Sequence, residues 1–225
     1  MYVISLGGSV IFNEHGINTP YYSSLVELIK GSKERHIFVV GGGNLAREYI
    51  EAARNLGITQ SDSLDSLGVH ATHLNALLFH YALLQAGVTS YHARYMDEVP
   101  DILLEPNKTV VTGGGPLGQT TDMVGIRCCQ RFALSSMINV TNVGKIYDRN
   151  PSEEDAIYLP SVNASDLIGM WGTEHVPGLN RPFEPRAIAE ALKSHITIHV
   201  IGPDIGDLRN VIEGKKHSGT VILPE

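Results

Sequence analysis

His36-Ile37-Phe38-Val39-Val40-Gly41-Gly42-Gly43-Asn44-Leu45-Ala46-Arg47 is the stretch from which the rest of the chain is read. Four apolar residues in a row after His36, three of them β-branched, predict a buried strand. The glycine triplet ends it, and apolar residues then recur at helical spacing from Asn44 to Asn55. Outward from this junction the same alternation returns. Tyr2–Leu6, Lys108–Thr112, Met137–Thr141 and His195–Ile201 read as buried strands, while Tyr21–Lys30, Leu67–Gln85, Thr121–Ala133 and Pro185–Lys193 read as helices. Alternating strands and helices predict an α/β fold with a central, mostly parallel sheet covered by helices on both faces. Asn150–Pro182, broken by Pro and Gly, is predicted to be a flap or lobe. No repeat or linker divides residues 1–225, which are expected to form a single domain.

Composition narrows the function classes. A net charge of −7 leaves no basic excess to release counterions, which argues against nucleic acid and anionic membrane as partners. The apolar start, Met1 to Phe12, has no basic leader and is too short to span a bilayer. The two cysteines, Cys128 and Cys129, are adjacent and cannot staple distant segments. Together these features predict a reducing, cytoplasmic location.

In open parallel sheets ligands bind beyond the carboxyl ends of the strands, so the residues after each strand carry the functional argument. After the first come Ser5-Leu6-Gly7-Gly8-Ser9, which fit a tight turn and a phosphate cradle equally. Gly41-Gly42-Gly43 opening a helix favour the cradle, because three glycines cost more entropy than a mere turn requires. Unpaired N–H groups and the helix dipole there attract anions, with Arg47 as a charged clamp one turn in. Asp65, Gly68, Thr72 and Asn75 recur at +3, +4 and +3 and share a helix stripe, readable as a wet face or as a sugar-binding one. Gly113-Gly114-Gly115-Pro116-Leu117-Gly118-Gln119-Thr120-Thr121-Asp122 is a second glycine-rich junction, with Asp122 either a helix cap or first-turn acid, or functional. Thr141-Asn142-Val143-Gly144-Lys145-Ile146-Tyr147-Asp148-Arg149-Asn150-Pro151 offers Tyr147 for stacking and Lys145 for phosphate, and reads as easily as a plain loop. His70, His73, His195 and His199 lack an acid or cysteine to complete a metal set and read as scattered side chains. The P-loop pattern and the dinucleotide fingerprint are absent. Two glycine-rich junctions suit a protein that holds two phosphorylated molecules end to end.

These segments, in this order, resemble the amino acid kinase superfamily and within it the archaeal-type UMP kinases. The likeness spans SLGGSV (5–10), VVGGGNLAREYI (39–50), DSLGVHATHLNALL (65–78), TGGGPLGQTTD (112–122), TNV-x-x-IY (141–147) and the tail GTVILP (219–224). It implies a three-layer α/β/α sandwich, a homohexamer, and transfer of the γ-phosphoryl group of ATP to UMP in pyrimidine nucleotide biosynthesis, with Mg²⁺. Carried over by position, Gly42, Asp65 and Gly115, Pro116, Leu117, Gly118, Gln119, Thr120 and Thr121 contact UMP. Ser5, Leu6, Gly7, Gly8, Ser9, Gly43, Arg47, Thr141, Tyr147 and Asn150 contact ATP, with Arg47 and Gly8 catalytic. Some positions depart from the pattern. Ser5 and Ala189 stand where many relatives carry lysine, Gly144 where they carry aspartate, and Asn150-Pro151 replaces Asp-Pro. Cationic help is thinner as a result, with Lys145 or Arg186 as substitutes. Rival readings on the same fold are a carbamate, amino acid or isopentenyl phosphate kinase, the last disfavoured by Asn44-Leu45-Ala46-Arg47 where it has a histidine. A non-catalytic nucleotide- or oxyanion-binding storage protein is the rival from another class.

Overall fold

The structure, a computed structural model, describes residues 1–96, 108–172 and 182–225. The elements in chain order are β1 (Tyr2–Leu6), α1 (Gly8–Ile11), β2 (Phe12–Asn13), β3 (Gly16–Ile17), α2 (Thr19–Lys30), β4 (His36–Val40), α3 (Gly43–Asn55) and α4 (Ser61–Gln85). After these come β5 (Ser90–Ala93), β6 (Thr109–Thr112), α5 (Thr121–Arg131), β7 (Ser136–Val140), β8 (Ile146–Tyr147), β9 (Tyr158–Leu159), β10 (Ser161–Asn163), α6 (Ala164–Trp171), α7 (Pro185–Lys193), β11 (Thr197–Ile201), α8 (Ile205–Ile212) and β12 (Thr220–Leu223).

One eight-stranded sheet, ordered β10-β12-β11-β7-β1-β4-β6-β5, organises the chain. The six strands from β11 to β5 are mutually parallel, whereas β12 pairs antiparallel to β11 and carries β10 with it. Strand side chains alternate between faces, and the two cores obey that alternation. Val3, Ile37, Val39, Met137, Ile198 and Val200 pack under α5, α6 and α7. Ile4, Leu6, Phe38, Val40, Ile138 and Val140 pack under α1, α2, α4 and α8. The result is the expected three-layer sandwich. Strands β4 and β6 are buried along their whole length, on both faces, which is why they lack a polar-facing alternation.

The strands and helices read from sequence are all present, with ends shifted by a few residues except at α7, β1 and β4, where they coincide. Missing from that reading were α1, β5, β10, β12, α6, α8 and the small β2–β3 and β8–β9 hairpins. The segment expected to be irregular, 150–182, in fact contains β9, β10 and α6; its residues 173–181 lie outside the described residues.

Strand β1 lies between β4 and β7; the chain passes on one side through β4 to the edge strand β5 and back to β6, before crossing to β7 on the other. That reversal opens a crevice at the carboxyl ends of β1, β4 and β7, the place where such sheets take ligands.

Candidate active site

The loops after β1 and β4 are built against each other backbone to backbone. A Cβ on Gly8 would stand 2.6 Å from Gly43 Cα, one on Gly41 would stand 2.9 Å from Gly8 Cα, and one on Gly43 would stand 2.7 Å from the Gly8 carbonyl carbon. Any side chain at these positions would force the loops apart. Gly43 also has φ +61°, a backbone region that glycine enters without penalty. The glycines therefore serve packing first.

Some of their amides are already committed. Gly7 N–H donates to Val140 O at 2.7 Å, and Gly41 N–H donates to Leu6 O at 2.8 Å, sewing the end of β1 to its neighbours. Gly7 is thus a seam rather than an anion donor. Helices α1 and α3 start at Gly8 and Gly43 with no side-chain cap. The amides of Gly8, Ser9, Gly43 and Asn44 have no acceptor within their own helices, as in every first turn. The first turn of α3 carries no acid. One turn in stands the exposed Arg47, reaching back so that its Nε donates to Asn44 Oδ1 at 3.0 Å and its Nη2 donates to the same oxygen. A cation at the positive end of a helix is unfavourable by itself and becomes favourable with an anion between them.

The stripe on α4 proves to be a clamp on both glycine-rich junctions. Asn75, buried, donates through Nδ2 to Gly41 O at 2.9 Å and Gly42 O at 3.2 Å. Thr72 donates to Val69 O at 2.6 Å and accepts the Gly114 N–H at 2.6 Å, while its methyl lies toward Gly42. His73 donates through Nε2 to Gly114 O at 3.0 Å. Asp65 accepts the N–H of Gly118. Periodicity showed which residues share a face; the loops it faces decide the role.

The loop from Gly113 to Thr121 is closed from the other side by Tyr95, whose ring edge would lie 2.8 Å from a Cβ on Gly115. Gly115 has φ +118°, and the Gly115–Pro116 bond is cis. Pro116, Leu117 and Gly118 stay exposed, and Gln119 Oε1 is buried with no hydrogen-bond partner among the described residues. Thr120 caps α5, its hydroxyl accepting from Met123 N at 3.2 Å and donating to Glu184. Asp122 is therefore not the cap. Its carboxylate accepts from Glu184 N at 3.0 Å and from the Ser5 hydroxyl at 3.4 Å, joining α5 and α7 to the end of β1. The residue is half-buried by surface area, but protein atoms crowd its carboxyl. Desolvation pushes the acid up to about 7, with a smaller upward push from the Glu184 charge, against the lowering by its two hydrogen bonds.

A third backbone contact lies across β7 and β11. A Cβ on Gly144 would stand 2.7 Å from the Ile201 carbonyl carbon and closer to Gly202, so the aspartate of the family pattern does not fit there. Beside it a cleft of about 340 Å³ is lined by Asn142, Val143, Gly144, Lys145, Tyr147, Pro151, Gly202 and Ser218. Lys145 Nζ lies 5.1 Å from the Tyr158 ring centre. Asn142 Nδ2 donates to Ser9 O at 3.2 Å, tying this cleft to the first glycine loop. Of the expected donor-side residues Tyr147 lines the cleft. Thr141, whose N–H goes to Ile201 O at 2.9 Å, and exposed Asn150, which accepts from Ser152 N at 3.0 Å, support its neighbourhood. Gly202 and Ser218 were missed from sequence, although Gly202-Pro203 directly after the β11 strand is the same kind of punctuation as the other junctions. His199 Nδ1 lies 3.1 Å from His217 Nε2; burial, then the His217 charge, pushes His199 down to about 4.

Residues 1–202 match the amino acid kinase family. A uridylate kinase of Thermoplasma volcanium is 35% identical over 95% of this chain and 93% of its own length. One of Methanococcus maripaludis strain C6 is 32% identical over 99% of each chain. The crystal structure of uridylate kinase from Archaeoglobus fulgidus superposes with a TM-score of 0.77 at 28% identity, covering 99% of this chain and 100% of that one.

Proposed function

The chain belongs to the amino acid kinase family, and from that membership we propose that it is a UMP kinase, a phosphotransferase that moves the γ-phosphoryl group of ATP to UMP. The observation that carries this reading is the double clamp on α4. One helix holds the Gly41–Gly42 carbonyls through Asn75 and the Gly114 peptide through Thr72 and His73, so two anion-receiving loops meet at the switch point of the sheet.

In this reading UMP occupies the side of Gly42, Asp65 and the Gly115–Thr121 loop. One oxygen of Asp65 is taken by Gly118, and the other is offered to a ribose hydroxyl. ATP phosphates lie over the amides of Gly8, Ser9 and Gly43 with Arg47 closing on them. Its nucleoside enters the cleft of Tyr147 and Lys145, near Thr141 and Asn150. The attacking phosphate oxygen of UMP is already ionised, so no strong base is needed. Catalysis reduces to alignment and to neutralising charge on the transferred group by N–H dipoles and Arg47. Mg²⁺ supplies further neutralisation of the ATP phosphates. Among the described residues no three His, Cys, Asp or Glu side chains gather to hold a metal, which suits an ion carried mainly by phosphate oxygens and water.

Residues 1–225 act in this reading as one domain about one sheet. Self-association is proposed through the outer face of α3, α4 and the β2–β3 hairpin. There Ile17, Leu74, Leu78 and Tyr81 are exposed around an apolar groove of about 500 Å³ that Leu45 of α3 also lines, and a face of that kind calls for a partner. A second copy offers the same apolar surface, and a hexamer accords with the family pattern. No helix of the described residues is long and apolar enough to cross a membrane, and a cytoplasmic location fits a consumer of free nucleotides.

A coupled assay of ADP release with UMP, CMP, dUMP, isopentenyl phosphate and carbamate tests the assignment. The expected result is turnover fastest with UMP. ATP binding with no turnover on any acceptor would overturn it in favour of storage or sensing.

A further inference from the structure

We propose that His73 is a positioning residue for the acceptor loop, fixing the direction in which the Gly114–Gly115 peptide presents its N–H; this rests on the assignment of residues 115–121 to UMP. Gly113, Gly114 and Gly115 are consecutive glycines, and a peptide unit between two glycines can rotate over with little steric resistance. A carbonyl turned toward a phosphate repels it, whereas an N–H attracts it, so the orientation of each plane decides whether the loop binds an anion.

Adjacent residues of α4 fix adjacent planes. The Thr72 hydroxyl accepts the Gly114 N–H at 2.6 Å, which sets the Gly113–Gly114 plane. His73 Nε2 lies 3.0 Å from Gly114 O, which sets the Gly114–Gly115 plane. A carbonyl only accepts, so Nε2 carries the hydrogen in this contact. In a trans peptide the C=O and N–H point in opposite directions. Drawing the Gly114 carbonyl toward α4 therefore turns the Gly115 N–H away from the helix. Residue 116 is proline and offers no N–H, so Gly115 supplies the last amide before Leu117. Tyr95 packs over Gly115 and lies 6.2 Å from the His73 ring, centre to centre and edge-on. His92 flanks the same ring at 5.7 Å, also edge-on. The imidazole is thus held between β5 and the loop with its Nε2 aimed at one oxygen.

The sequence left His73 among scattered histidines because its partner is a backbone atom 41 residues away. A histidine here acts as a side-chain donor at the Nε position, which a glutamine can imitate and a phenylalanine cannot.

The test compares wild type, His73→Phe, His73→Met and His73→Gln in steady-state kinetics, with UMP affinity also measured by calorimetry without ATP. Expected for Phe and Met is a rise in the UMP KM and Kd of about tenfold, with the ATP KM changed less than twofold and kcat within threefold; Gln restores most of the loss. Equal KM increases for both substrates, an unchanged UMP KM and Kd in a folded Phe or Met variant, or a Gln variant no better than Phe, would each overturn the positioning role. Lack of wild-type turnover on UMP would instead sink the kinase assignment, and if UMP still bound, the Kd comparison would continue to judge His73. Thermal melts identify any variant that has lost its fold, and the Met and Gln variants then decide between the two outcomes.

Discussion

The two sides of the crevice are made rigid in different proportions by close backbone contact and by side-chain grips. On the proposed donor side Gly8, Gly41, Gly43 and Gly144 press backbone on backbone where no side chain fits, with a side-chain grip from Asn75 on the Gly41 and Gly42 carbonyls. On the acceptor side the loop at Gly113–Thr121 is held by side chains, namely Asp65, Thr72 and His73 from α4. A contact that depends on a missing Cβ admits no gradation, since every other residue is too large. A contact that depends on a hydroxyl or an imidazole can be strengthened, weakened or exchanged. In the proposed reading ATP would meet the inflexible wall and UMP the adjustable one.

The sharpest way to break this comparison is to add one carbon on the donor side. Gly8→Ala is expected to destabilise the fold by more than about 4 kcal/mol or abolish soluble protein, because no flexible atom can yield to the new Cβ. A thermal melt within a few degrees of wild type would contradict it. Next in size is Asp122→Asn, which probes the seam between the two sides. The acid is raised to about 7 in the folded chain from an ordinary 3.8. Folded protein then holds a proton that the unfolded chain has lost between about pH 4 and 7, so stability from this group is full below that window and declines as pH rises through it. The asparagine variant is expected to lose that decline and to be more stable at pH 8 by up to about 4 kcal/mol, less what residual exposure screens. Denaturant melts at pH 5 and 8 measure it, and equal slopes for both proteins would refute the buried charge.

Arg47→Ala is expected to reduce kcat/KM about 100-fold, or about 3 kcal/mol of transition-state stabilisation, since it is the cation placed at the start of α3. A loss under threefold ends its catalytic assignment. On the adjustable side Thr72→Val keeps the shape and removes the acceptor of a buried N–H, costing about 1–3 kcal/mol in stability. Denaturant unfolding reads this directly; a neutral substitution would mean that the hydroxyl holds nothing. The smallest effect calibrates the rest. Gly169 in α6 has open space around it, and Gly169→Ala is expected to stabilise by about 0.5–1 kcal/mol.

Buried parallel strands were legible in the sequence because β1, β4, β7 and β11 are rich in apolar, β-branched residues over five positions each. Strand β5, Ser90–Ala93, was not, since an edge strand written Ser-Tyr-His-Ala carries neither an apolar run nor clean alternation. Helix α8 escaped notice for its eight residues, although Asp204 caps it by accepting from Asp207 N. The glycine junctions were legible as sites, but their reason was not. A glycine contributes nothing to a hydrophobic pattern, and the crowding that demands it comes from a partner such as Gly202, 58 residues beyond Gly144. Likewise the α4 stripe revealed shared direction without naming what lay opposite.

Helix α4 grips one loop through Asn75 and the other through Thr72 and His73. The spacing of the two loops is then metered by helical pitch, about 1.5 Å per residue, and in the proposed reading so is that of the two nucleotides. Insertions or deletions between Asp65 and Asn75 would rotate one grip off its loop by about 100° per residue. A change in the length of α4 would leave the grips in phase only outside Asp65–Asn75, so that stretch of the helix acts as a fixed gauge.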